Sequence, residues 1–249
     1  MKIYNSKKID SLPDVFLFDT DNTLYAYDIP HKAAMAEVTS KVVGMLSISK
    51  NDVDKSFTLA RETIKKQLGG SAASHSRLLY MQRMLEILGL GSQVLLALDL
   101  EQTYWRTFLG QAVLFDNVKE LLDDIRILGI PAVVVTDLTA QIQFRKLVYF
   151  GLENSFNFVV TSEEAGYDKP HEAPFKIALQ KAGVENGKIW MVGDNPINDI
   201  LGAREKIGAV TFQKIHSGIA LGRDKFAPDA SFENFSELRK CIAKLGKLS

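Results

Sequence analysis

The chain has 249 residues, 46% hydrophobic and 24% charged, and its thirty basic and thirty acidic side chains cancel. That balance fits a globular protein with a sizeable core and excludes extensive disorder. Zero net charge gives no global pull toward nucleic acid or an anionic membrane.

The single cysteine, Cys241, forms no intramolecular disulfide, and the N-terminus lacks an apolar signal core. No apolar run approaches the ~20 residues of a spanning helix. A cytoplasmic protein with neither nucleic acid nor membrane as partner is therefore expected.

The first element is the strand "VFLF", Val15 to Phe18, which runs into Asp19 and Asp21. An apolar run without alternation reads as a parallel strand covered on both faces. Ligands of open α/β sheets collect beyond the carboxyl ends of such strands. The competing reading is that Asp21 and Asn22 only turn the chain.

From Pro30 to Leu109 the apolar spacing is helical. It predicts four helices, roughly Pro30 to Leu46, Asn51 to Leu68, Ser76 to Leu88 and Ser92 to Leu109, broken at "GGSAAS" and "GLGS". From Asp116 helix and strand alternate, with strands in "PAVVVTD", "FNFVVTS", "KIWMVGD" and "AVTFQ". A short strand in "PDASF" and a helix in "FSELRKCIAKL" close the chain. Such alternation implies βαβ units. The expected fold class is α/β: a doubly wound parallel sheet over 1–27 and 111–249, with an α-helical domain, 28–110, inserted after the first strand.

Three further groups stand at predicted strand ends or between them: Thr136 and Asp137 after "VVV", Asp194 after "IWMVG", and Lys169 in "GYDKPHEAPF". Singly each has a plain explanation. Thr136 could end a strand and Asp137 cap a helix. Lys169 could be a solvated loop residue, and Gly193 to Pro196 a turn with Asn198 or Asp199 capping the next helix. Together they suit phosphoryl transfer to a carboxylate. A carboxylate can attack phosphorus and carry the phosphoryl group, provided a cation neutralises the repulsion between anions. Asp19 and Asp194, with Asp199 through water, could hold magnesium. Lys169 and Thr136 could take the phosphate oxygens, and Asp21 could act as acid and base.

The pieces "DTDNT", "VVVTD", "DKPHEAPF" and "MVGDNPINDI" resemble, in order and spacing, the four motifs of the haloacid dehalogenase-like (HAD) superfamily. The helical insertion resembles the cap of its phosphoglycolate phosphatase and N-acylneuraminate-9-phosphatase-like branch. The resemblance implies a Rossmann-like core and a small phosphorylated metabolite as substrate: a sugar, sugar-acid or nucleotide phosphate. It implies Asp19 as nucleophile and magnesium ligand, and Asp21 as acid/base with a backbone carbonyl on the metal. Thr136, with Asp137 beside it, and Lys169 would bind the phosphoryl group, and Asp194 and Asp199 would complete the metal site. Members that cleave carbon–halogen bonds lack the second acid, so Asp21 argues against a dehalogenase. Thr20 replaces a more usual bulky apolar residue, and Glu172 a frequent proline. A mutase of the β-phosphoglucomutase type, a non-catalytic module on this fold and a receiver-like domain are the alternatives; the last needs no helical insertion.

Other candidates carry less. His171 is expected to face solvent, His31 is open, Tyr104 and Trp105 read as packing of the helical domain, and Glu163 and Glu164 as a solvated face.

Overall fold

The computed structural model describes residues 1–246. The chain forms two compact units, one of Met1–Ala26 with Val113–Ser249, the other of Tyr27–Ala112.

The larger unit is built on a seven-stranded sheet. Its strands are β1 (Lys2–Ile3), β2 (Val15–Phe18), β3 (Ala132–Thr136), β4 (Phe158–Thr161), β5 (Ile189–Gly193), β6 (Val210–Lys214) and β7 (Ala230–Phe232), in the order β1-β7-β6-β5-β2-β3-β4. All neighbours pair in parallel except β1, which lies antiparallel on β7. From β2 the chain winds outward through β3 and β4, then returns to the other side of β2 for β5, β6 and β7. The reversal lies between β2 and β5, the topological switch point at which doubly wound sheets bind ligands. Both faces of β2 are buried, with Val15, Phe16, Leu17 and Phe18 fully inaccessible, which explains its lack of alternation.

Alternate residues divide the core. Val15, Leu17, Val133, Val135, Ile189 and Met191 pack with Phe175, Ala178 and Ala203 of helices α8 (Glu172–Ala182) and α9 (Gly202–Ile207). Phe16 meets Trp190 edge-on at 5.3 Å, and Trp190 lies 4.4 Å from Phe212, both distances between ring centroids. Helix α5 (Val118–Ile127) packs on β3 and on α10 (Phe235–Gly246). Helices α6 (Ala140–Phe150) and α7 (Ser162–Ala165) complete this unit's α-helices. This is the expected α/β fold class, with β1 and α7 as additions the sequence pattern does not signal.

The smaller unit contains α1 (Asp28–Leu46), α2 (Lys50–Leu68), α3 (Arg77–Ile87) and α4 (Val94–Gln111), with a 3₁₀ turn at Ala72–His75. Ala34, Val38 and Val42 recur every four residues on the buried stripe of α1. Helix α1 packs on α4, and α2 on α3. Ser49 and Ser76 cap α2 and α3, accepting hydrogen bonds from the N–H groups of Asp52 and Leu79. Tyr104 and Trp105 are buried packing residues, as their helical spacing suggests.

Trp190 is fully buried, yet its indole N–H finds no acceptor. Trp190→Ala is therefore expected to cost ~3–5 kcal/mol. Trp190→Phe should cost less than about 1.5 kcal/mol, because it deletes the unsatisfied donor along with some volume. Urea unfolding of both variants measures the difference.

Candidate active site

The site begins with the turn after β2. Asn22 adopts a left-handed conformation (φ 63°), which Asn tolerates better than most residues. The N–H groups of Thr23 and Leu24 both point back to the Thr20 carbonyl. The turn brings the Thr23 hydroxyl to Asp19, donating to Oδ2 at 2.8 Å. Lys169 Nζ donates to Oδ1 of the same carboxylate at 2.8 Å and to Asp199 Oδ1 at 2.7 Å. Lys169 is thus buried and doubly paired; the solvated-loop reading does not hold. Its backbone N–H donates to Asp137 Oδ1 at 2.9 Å, which ties the loop to the end of β3.

Asp19, Asp194 and Asp199 are all buried, and one carboxylate oxygen of each lies within 4.8 Å of the others. The approach of Asp199 requires a glycine at 193: a Cβ there would stand 2.4 Å from Asp199 Cβ. Asp199 Oδ2 also accepts the Asn195 N–H at 2.9 Å. Neither Asn198 nor Asp199 caps the following segment. Asn195 does so, its Oδ1 taking the N–H groups of Ile197 and Asn198, with Pro196 in the first position of a π-helical turn, Pro196–Leu201.

Burial, followed by the charges of Asp19 and Asp199, raises the pKa of Asp194 well above the carboxylate range. Burial also raises Asp19 against the opposing pull of Lys169. For Lys169, burial works against the charge, but Asp19, Asp199 and Asp137 outweigh it and hold the ammonium form. Three crowded carboxyl groups, two of them paired with one lysine, outnumber the cations here. An all-oxygen donor set of this kind suits a hard divalent cation such as magnesium.

Asp21 sits differently. Its carboxylate lies outside the acidic triad and its side chain is one-third exposed. Lys146 Nζ, on α6, reaches both its oxygens at 2.7 and 3.0 Å, and the Tyr25 hydroxyl donates to Oδ1. Thr136, at the end of β3, exchanges a 2.8 Å hydrogen bond with Thr20 and accepts another, also 2.8 Å, from Gln143 Nε2. The polar Thr20 therefore has a partner that an apolar residue would lack. Asp137 caps no helix; Thr139 occupies the N-cap of α6. Leu138 has φ 98°, a strained conformation for a bulky residue, and its N–H is held by Ser162 Oγ at 2.9 Å.

Lys146, Gln143, Thr23 and Tyr25 are the residues around the site that sequence reasoning missed. Lys146 and Gln143 lie on a helix of ordinary amphipathic pattern. Only the pairing of β2 with β3 brings them to the turn after Phe18. His171 is exposed, as expected, and stacks on Tyr167 while its Nδ1 caps α8. Glu163 takes the Ala140 N–H and Glu164 pairs with Lys181, so the two acids do more than face solvent.

The model of the family described as "Haloacid dehalogenase-like hydrolase" matches residues 16–210. The chain belongs to the haloacid dehalogenase-like hydrolase family. Within this family it falls among the phosphatases, phosphoric monoester hydrolases by reaction class. It is 34% identical over 188 residues to a ribulose-1,5-bisphosphate 5-phosphatase of Halopiger xanaduensis, covering 75% of this chain and 79% of that one. It is 25% identical over 232 residues to a glyceraldehyde 3-phosphate phosphatase of Methanocaldococcus jannaschii, covering 93% and 97% of the two chains. A crystal structure of a HAD phosphatase from Thermococcus onnurineus, 23% identical, superposes with a TM-score of 0.70 over 92% of this chain and 97% of its own, which shows the shared HAD fold.

The raised pKa of Asp194 has a consequence for stability. An unfolded Asp ionises near pH 4, whereas the folded carboxyl keeps its proton to higher pH, so the folded state binds more protons and stability falls as pH rises. Asp194→Asn removes this penalty. In chelator at pH 8 the variant is expected to melt at least ~2 °C above the wild type, corresponding to about 1 kcal/mol for a chain this long. The gain should shrink toward pH 5. Scanning calorimetry at the two pH values checks the sign.

Proposed function

We propose that this chain is a magnesium-dependent phosphatase of a small phosphorylated metabolite, working through an aspartyl phosphate on Asp19. The observation that carries the reading is the buried triad Asp19, Asp194 and Asp199, two of whose members pair with Lys169, at the switch point of the sheet. Asp19 and Asp194, with Asp199 supporting and the Asp21 backbone carbonyl completing the protein donors, would hold the ion. Once bound it would neutralise phosphate charge beside the carboxylates.

Thr23 and Lys169 fix the plane of the Asp19 carboxylate, one on each oxygen. Asp19 attacks phosphorus, the ester P–O bond breaks, and the leaving alcohol takes a proton from Asp21. Water then attacks the phosphoryl group on Asp19, giving its proton to Asp21, and phosphate departs. Lys169 and Thr136, with Asp137 fixing the Lys169 backbone, stabilise the equatorial oxygens of the phosphoryl group. Two carboxylates two residues apart take different tasks because their settings differ: Asp19 is buried against a lysine, while Asp21 is partly exposed and steadied by Lys146. The named relatives act on small phosphorylated sugars, which favours a metabolite of that size; a cytoplasmic location follows from the same reading.

Asp19→Asn is expected to abolish magnesium-dependent release of phosphate from p-nitrophenyl phosphate, and EDTA to silence the wild type. Full turnover by Asp19→Asn would sink the mechanism. Asp21→Asn should slow turnover by about 100- to 10,000-fold. Lys146→Met should lower kcat more for alkyl than for aryl esters, because only poor leaving groups need a well-placed proton. Steady-state kinetics on a panel of phosphorylated metabolites tests all of these and names the substrate.

A further inference from the structure

The phosphate-binding role proposed for Thr136 depends on where its single hydroxyl proton points. Three side chains of the larger unit govern that direction: Thr20, Thr136 and Gln143, none more than 3% exposed. A hydroxyl has one donor and two acceptor positions, whereas a Gln amide has two donors and an oxygen that only accepts.

The Asp137 carbonyl can only accept, so the Gln143 group that faces it at 2.8 Å is the amide NH2. That NH2 also donates to Thr136 Oγ1 at 2.8 Å. One acceptor position of Thr136 is thereby filled. Thr20 Oγ1 stands 2.8 Å from Thr136 Oγ1, and one of the two hydroxyls must give the proton. The other acceptors within reach of Thr20 are poor. Asp21 Oδ1 lies 3.3 Å away and already takes Lys146 and Tyr25, while Gln143 Oε1 lies 3.5 Å away. Both contacts exceed the roughly 2.5–3.0 Å of a good O–H···O bond. Thr20 therefore donates to Thr136 and fills its second acceptor position. The Thr136 proton is left with the Asp137 carbonyl, 3.3 Å away and already serving Gln143. It is weakly held, and an incoming oxyanion can take it.

We propose that Gln143 and Thr20 are positioning residues: by occupying both acceptor positions of Thr136 they reserve its O–H for a phosphoryl oxygen, while touching no substrate themselves. This deepens the phosphatase reading above and rests on it. Without the Gln143 amide, the Asp137 carbonyl would lose its short hydrogen bond and draw the Thr136 proton to itself, because a buried acceptor left unpaired is costly.

The test is a double-mutant cycle on the full-length protein with magnesium and p-nitrophenyl phosphate. Gln143→Met and Thr136→Val are each expected to lower kcat/KM by ~10-fold or more, as loss of a hydrogen bond to a charged group implies. The double variant should stay within ~2-fold of Thr136→Val, because the amide acts only through that hydroxyl. Thr20→Val enters the same cycle with the same expectation, and Thr20→Ser, which keeps the hydroxyl, should stay within ~2-fold of the wild type. A side chain that merely packs would add its loss to that of Thr136→Val. Such additivity, or a folded Gln143→Met within ~2-fold of the wild type, overturns the proposal. If Gln143→Met fails to fold, Thr20→Val, which keeps the shape and deletes only the hydroxyl, decides with the same outcomes. If the wild type hydrolyses no phosphate ester, the phosphatase reading fails. The cycle is then read in the rise in melting temperature that inorganic phosphate produces: non-additive losses support the positioning role, and additive losses, or no rise in the wild type, overturn it.

Discussion

One ammonium group organises the larger unit. Lys169 Nζ stands between Asp19 and Asp199, and its backbone N–H holds Asp137. The segments that follow three strands, β2, β3 and β5, are therefore fastened to a single residue. Remove the charge, and buried carboxylates within 4.8 Å of one another have nothing to offset their repulsion. The arrangement is also why Gly193 cannot carry a side chain, since Asp199 must come against the backbone of β5 to reach the lysine.

Much of this is legible in the amino-acid sequence. The four apolar residues of β2 announce a strand covered on both faces, and every one of them is inaccessible. The helices of the smaller unit follow from spacing, and the acids at strand ends from the habit of parallel sheets. Other features are hidden for identifiable reasons. Two residues cannot display a period, so β1 is invisible. Asn195 and Pro196 carry a helix-start signal, but two acidic or amide candidates further on compete with it. Lys169 looks solvated because a lysine before a proline says nothing about what surrounds it. Lys146 and Gln143 cannot be linked to the first strand, since that contact spans 125 residues for the Lys146–Asp21 pair.

The position of β2 carries a further consequence, for synthesis. It is an interior strand of the sheet, yet it leaves the ribosome before either of its partners, β3 beginning at Ala132 and β5 at Ile189. At roughly 5–20 residues per second, translation takes on the order of ten seconds to deliver β3 after β2. Through that interval "VFLF" has no strand to pair with, and an unpaired apolar strand is a template for association with other chains. What emerges meanwhile is the helical segment, whose contacts are short in sequence and therefore fast to form. The order of the gene thus leaves the strand that leads into Asp19 without its partners until late in synthesis, and it places a segment of local contacts in the gap.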